Sequence, residues 1–177
     1  MTHQDIRIRV ATHVDAGLLA DLGERTFVQA FGADNNPADL ADYLMSAFGP
    51  AIQHVELTDP ANVFLIAEVG ESHVGYAKLR FGEAPAFVLG DRPAEIVRIY
   101  AVESWIGRGI GSALMSSCFS ELGERDYDAA WLSVWERNQR GMAFYAKWGF
   151  AAVGRQVFLV GNDPQSDVVM SRLLCAR

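Results

Sequence analysis

Residues 95–122, EIVRIYAVESWIGRGIGSALMSSCFSEL, pass from strand to turn to helix in one stretch. Ile96, Val97, Ile99, Tyr100 and Val102 form a near-continuous apolar, β-branched run, the pattern of a strand buried on both faces. The run breaks at Glu103-Ser104 and enters a turn, Gly107-Arg108-Gly109-Ile110-Gly111. Leu114, Met115, Cys118, Phe119 and Leu122 then recur at helical spacing. A glycine turn between a strand and a helix N-terminus points backbone amides at an anion, and the helix adds roughly half a positive charge. The amides of residues 107–112 are therefore candidates to hold a phosphate, and Arg108 adds a full charge.

Two common phosphate motifs fail against these letters. A P-loop needs Lys-Ser/Thr after its last glycine, and Ser112-Ala113 follows Gly111. A dinucleotide fingerprint, G-x-G-x-x-G, ends on Ser112 if begun at Gly107 and on Leu114 if begun at Gly109. What fits is x-G-x-G-x-G-x-A after a strand. Residues 131–150, WLSVWERNQRGMAFYAKWGF, supply a second signal. Trp131, Leu132, Val134 and Trp135 read as a strand, Asn138 as a helix N-cap and Gly149 as the C-terminal stop. Asn138 and Tyr145 lie about two turns apart and share a face, with Gly141 close to it.

Together the two segments resemble the GCN5-related N-acetyltransferase (GNAT) family, the first its acetyl-CoA pyrophosphate loop and the second its closing N…F-Y-x-x-x-G-F segment. The resemblance implies an α/β (α+β) fold: a mixed, mostly antiparallel sheet flanked by helices in the order β-α-α-β-β-β-α-β-α-β-β, as one N-acetyltransferase domain over residues 1–177. It implies acetyl-CoA as donor, held by Tyr100, Ala101, Val102, Gly107, Arg108, Gly109, Ile110, Gly111, Ser112, Asn138 and Tyr145. The family splays its central strand with a bulge, so main-chain groups of Tyr100, Ala101 and Val102 would meet the pantetheine arm. The Val102 amide would polarise the thioester carbonyl, and Tyr145 would protonate the departing thiolate. Ile106 stands where the family often has Gln or Arg.

The general base is left open by the letters. Glu95 is the first candidate, acting through water, with Glu103, Glu136, His54 and His73 as alternatives; a solvated surface carboxylate is the commoner role for each acid. The wider pattern VWERN…FY.KWGF…VG…F..GNDPQSDVVM, with RTFVQAFGADNNPADLADYL near the start, resembles the PaiA-type polyamine-acetylating branch. In such folds the first two helices wall the acceptor site. Phe27, Phe31 and Tyr43 would pack on an alkyl chain and Glu24, Asp34 and Asp39 would meet ammonium groups. A sensor that binds acetyl-CoA or an amine without catalysis is the alternative.

The rest of the chain reads plainly. Ile6, Ile8 and Val10 alternate with arginines as a half-exposed strand; Thr12 and Asp15 make a capping box; Asn36-Pro37 opens a second helix; Asn62–Val69 and His73–Phe81 form a hairpin; the last two strands flank Gly161-Asn162-Asp163-Pro164. A length of 177 residues suffices for one domain, and a net charge of −7 argues against nucleic acid as main partner. The N-terminus lacks a signal-peptide core and no apolar run is membrane-length. Cys118 and Cys175 read as free buried thiols, so a cytoplasmic protein is expected, while the family resemblance implies a small-molecule amine as acceptor. The histidines and cysteines are too scattered for a metal site. The last strands offer an edge through which a homodimer could form.

Overall fold

The computed structural model describes residues 5–174. Seven strands make one sheet in the order β1-β2-β3-β4-β5-β7-β6. They are β1 (Ile6–Val10), β2 (Asn62–Val69), β3 (Ser72–Phe81), β4 (Pro93–Ala101), β5 (Ala129–Trp135), β6 (Ala151–Val160) and β7 (Asp163–Leu173). Five α-helices join them: α1 (Ala16–Phe31), α2 (Pro37–Phe48), α3 (Pro50–Thr58), α4 (Ile110–Glu124) and α5 (Gln139–Lys147). All neighbours pair antiparallel except β4 and β5. Residues 51–57, whose letters also read as a shorter helix, form α3 from Pro50, beside the order that the resemblance implies. Cys175 lies outside the described residues. Among these residues no helix is long and apolar enough to cross a membrane.

The two faces of the sheet carry different loads. On one, Leu114, Met115, Cys118 and Leu122 of α4 pack on Leu65, Ala77, Leu79, Ile96 and Leu132. On the other, Leu19 and Leu22 of α1 pack on Phe64, Ile66 and Tyr76. The caps read from sequence hold: the Asn36 side chain accepts from Ala38 N at 2.9 Å, and Thr12 N donates to Asp15 Oδ2 at 2.8 Å. A 3-10 turn, His13–Asp15, precedes α1. In β1 the alternation breaks at its end. Val10 is 50 % exposed, while Arg9 turns inward and pairs with Asp15 at 2.8 Å and Glu68 at 2.7 Å.

The feature that positions the site is how little β4 and β5 share. Their pairing stops after three rungs, Pro93–Ala129, Ala94–Ala130 and Glu95–Trp131. Beyond Glu95 the two strands part. The register with β3 shifts at the same place, Lys78 opposite Arg98 but Leu79 opposite Ile96, which leaves Val97 as the extra residue of a bulge. The expectation of a strand buried on both faces is corrected here. Ala94, Glu95 and Ile96 are buried, whereas Val97 to Ala101 are only half-buried because they line the gap.

Candidate active site

The gap opens into a cleft of about 1360 Å³ that runs from the α4–α5 side of the sheet to the α1–α2 side. At the α4 end, Gly107 (φ +79°) and Gly109 (φ +90°) take left-handed conformations that other residues adopt at a cost. Among the described residues the amides of Gly107, Gly109, Ile110, Gly111 and Ser112 make no backbone hydrogen bond, and the helical ladder begins with Ala113 N donating to Gly109 O at 2.9 Å. Free donors at a helix N-terminus are what an anion requires. Arg108 departs from expectation: its own amide donates to Trp105 O at 3.3 Å and its guanidinium lies over the Trp105 ring. The Ile110 side chain is core, so only its amide is available. Gly75 seats this turn, since a Cβ there would fall 2.6 Å from Tyr100 O and 2.9 Å from Ile110 Cγ2.

Along β4, hydrogen-bond parity identifies the open groups. Val102 N donates to Val74 O at 2.9 Å, so the Val102 amide is taken and the expectation that it faces the thioester is corrected. In an antiparallel ladder the direction alternates residue by residue. Tyr100, opposite Tyr76, therefore also turns its main chain to β3, while Ile99 and Ala101 face the gap where β5 has left. Ile99, absent from the sequence-based set, and Ala101 carry the free edge. Only the bulge, invisible in the letters, sets this parity.

From the β5 side, Asn138 caps α5 through Oδ1, which accepts from Gly141 N at 2.9 Å. What Gly141 makes room for is that side chain, because a Cβ would sit 2.7 Å from Asn138 Nδ2. Asn138 and Tyr145 both line the cleft. Tyr145 packs edge-on against Phe144 and Phe150, and burial pushes its phenol above the usual tyrosine range. Arg137 and Arg140 also line this part of the cleft, and neither is ion-paired among the described residues. Their run, ERNQR, was the overlooked signal.

On the α1–α2 side, Phe27, Phe31 and Tyr43 come together as expected and join a longer series of rings. Trp135 meets Phe31 at 6.2 Å, Phe31 meets Tyr100 at 6.1 Å, Tyr100 meets Phe27 at 6.4 Å, Phe27 meets Tyr43 at 4.6 Å and Tyr43 meets Phe158 at 5.5 Å. Tyr100 thus serves this side with its ring. The expected acids fall elsewhere. Glu24 lies on a separate surface groove, Asp34 is outside the cleft, and Asp39 accepts from Asn162 N at 2.9 Å, tying α2 to the β6–β7 turn.

The candidate bases divide likewise. Glu95 lines the cleft but is 7 % exposed and ion-paired with Arg80. Glu103 is exposed at the rim; Glu136 pairs with Arg155 at 2.6 Å outside the cleft; His54 and His73 do not reach it. The acid that sequence reading missed is Asp167. It projects from β7 opposite Trp135 and Gln156 and lines the cleft. Its one signal was an aspartate on the strand face that Val169 and Ser171 share.

The sequence profile of the Acetyltransferase (GNAT) family matches residues 26–150. The chain belongs to this family. It is an acetyl-CoA-dependent acyltransferase. This acetyltransferase is similar to an uncharacterized N-acetyltransferase of Lactobacillus delbrueckii subsp. lactis, 31 % identical over 153 residues, 86 % of this chain and 88 % of the relative. It is similar also to an uncharacterized N-acetyltransferase of Mycobacterium tuberculosis H37Rv, 32 % identical over 160 residues, 90 % of this chain and 98 % of that one. Among solved structures, PaiA N-acetyltransferase of Thermoplasma acidophilum in complex with coenzyme A has the same fold. Its TM-score is 0.76 at 17 % identity, covering 96 % of this chain and 99 % of that one.

Proposed function

We propose that the acetyltransferase moves an acetyl group directly to the primary amine of a small molecule, with polyamines of the PaiA type among the candidate acceptors. The observation that carries this reading is one continuous cleft: free amides and an open strand edge at one end, a box of rings at the other. Acetyl-CoA supplies the thioester. The chain's own residues do the rest. The free amides from Gly107 to Ser112 receive phosphate, with Arg137 and Arg140 adding charge. The outward main-chain groups of Ile99 and Ala101 hold the extended arm as an added strand and offer an amide to the thioester oxygen. Among the described residues Asn138 Nδ2 has no partner, while its oxygen caps α5.

The Tyr145 hydroxyl donates its proton to the sulfur as the C–S bond breaks and the new C–N bond forms. A base takes the amine's proton; Glu95, acting through water, is the proposed group. Its pairing with Arg80 makes it a constrained acceptor. Direct transfer is supported by Cys118, whose thiol is 0 % exposed and pushed up to about 12 by burial, a poor acyl carrier. Action as a single domain in the cytoplasm belongs to the same proposal. So does a homodimer through the edge strand β6, where Val157 and Leu159 are exposed. Free-thiol release from acetyl-CoA against a panel of amines tests the reading. Amine-dependent release supports it. Acetyl-CoA binding without release on any amine favours a sensor and overturns it.

A further inference from the structure

The six rings from Trp135 to Phe158 enclose the acceptor side of the cleft, and two ties hold that enclosure shut. Asp39 accepts from Asn162 N, and Gln165 Nε2 donates to Asn35 Oδ1 at 2.7 Å, fixing the β6–β7 arm to the α1–α2 corner. Three buried or half-buried acids line the cleft, and two are already neutralised. Glu95 pairs with Arg80; Glu56 pairs with Lys78 at 2.6 Å and sits 3.4 Å from Arg98. Asp167 is different. It is 5 % exposed, and among the described residues it has neither an ion-pair partner nor a hydrogen-bond donor. A largely buried carboxylate that opens only on a cleft and has no protein partner is a candidate for completion by a ligand.

Chemistry narrows the ligand. A carboxylate among aromatic faces is a receptor for an ammonium ion, since both the charge and the ring quadrupoles attract a cation. Elsewhere in the cleft the balance reverses, because Lys78 and Arg98 share the one carboxylate of Glu56. A second or third ammonium on the same molecule would meet excess positive charge there. We propose that Asp167 receives the ammonium group of the acceptor, and that the box selects amines with one positive charge on an apolar or aromatic body over polyamines. This rests on the acetyltransferase reading above and names its acceptor class. Burial, and then the charge of Glu136, raise the Asp167 carboxyl to about 6, so it is ionised at neutral pH and strongly in want of a cation.

The test uses the full chain saturated with coenzyme A and reads ligand binding by calorimetry, separately from turnover. The probes are 2-phenylethylamine, its neutral counterpart 2-phenylethanol, and spermidine. The expected result is that 2-phenylethylamine binds at least about tenfold more tightly than the alcohol and than spermidine. In Asp167→Asn the preference for amine over alcohol disappears, while acetyl-CoA raises Tm as in the parent. Equal binding of amine and alcohol by the parent, no amine binding at all, a preference that survives in Asp167→Asn, or tighter binding of spermidine would each overturn the inference. Turnover keeps the two claims apart: discrimination by Asp167 without thiol release supports this inference while sinking amine acetylation.

Discussion

Replacing Tyr145 with Phe removes one oxygen and little else. The ring packs edge-on against Phe144 and Phe150 and belongs to the partly buried layer around the α4 core, contacts that phenylalanine keeps. Among the described residues the hydroxyl has no protein partner to lose, so Tm should move by less than the shift from about 1 kcal/mol. Catalysis should move far more. A positioned general acid contributes about 10²–10⁴-fold, so kcat should fall by at least about a hundredfold, some 2.7 kcal/mol of barrier. KM for acetyl-CoA should be nearly unchanged because the pyrophosphate amides and the β4 edge are untouched. Burial raises the Tyr145 phenol above its ordinary value of 10.0, which keeps it protonated across the working range. The alkaline limb of the parent's rate profile should therefore extend beyond pH ~10 as far as this group is concerned. Stopped thiol-release assays with a saturating amine, beside thermal melts, decide the matter. A variant retaining more than half of kcat would refute the proton-donor role, and a loss confined to acetyl-CoA binding would make Tyr145 a binding residue instead.

Other perturbations separate the remaining parts. Asn138→Ala should cost about 1 kcal/mol through the lost cap on Gly141 and, if Nδ2 meets the coenzyme, also raise Kd for acetyl-CoA; a melt and a titration read the two effects independently. Gly75→Ala sets a methyl against Tyr100 O and Ile110 Cγ2 and should destabilise by about 1–3 kcal/mol, with weaker acetyl-CoA binding as the glycine turn shifts; an unchanged melt would mean that β3 and α4 adjust freely. For Asp167, flanked by Glu136, which Arg155 pairs, and by the Tyr43 phenol, burial raises the folded carboxyl to about 6. A raised folded value stabilises fully only below the unfolded value of 3.8, and that contribution is lost as pH rises through 6. Asp167→Asn should accordingly be more stable than the parent above pH ~6, by about 1 kcal/mol after solvent screening, and alike near pH ~4. In the parent, amine binding should weaken as pH falls below about 6; a flat pH profile would count against both statements.

Legibility in the letters followed the kind of atom doing the work. The glycine turn, the Asn138 cap and the stop at Gly149 were readable because each is a local backbone requirement that few residues meet. The succession of strands and helices along the chain was legible from apolar runs and turn residues as well. The Val97 bulge was not readable: β-branched residues on both sides give no sign of which one is extra, yet that single residue decides whether Ile99 and Ala101 or Tyr100 and Val102 face the gap. Asp167 was hidden for another reason. In sequence it is one acid near a turn rich in polar residues, and only the pairing of β7 with β5 and β6 turns it toward the rings.

The two halves of the cleft therefore answer to different constraints. The proposed coenzyme half rests on amides that any sequence possesses, freed by a bulge, a parted strand pair and left-handed glycines. The proposed acceptor half draws on side chains of α1, α2, β4, β5, β6 and β7, where one substitution changes charge or shape without disturbing the sheet. Exchanging Asp167 or Phe158 would alter what enters while leaving the free amides of β4 and α4 in place. Fold likeness to PaiA N-acetyltransferase is for that reason a weak guide to the acceptor, and the unpaired carboxylate beside a series of rings is the stronger one.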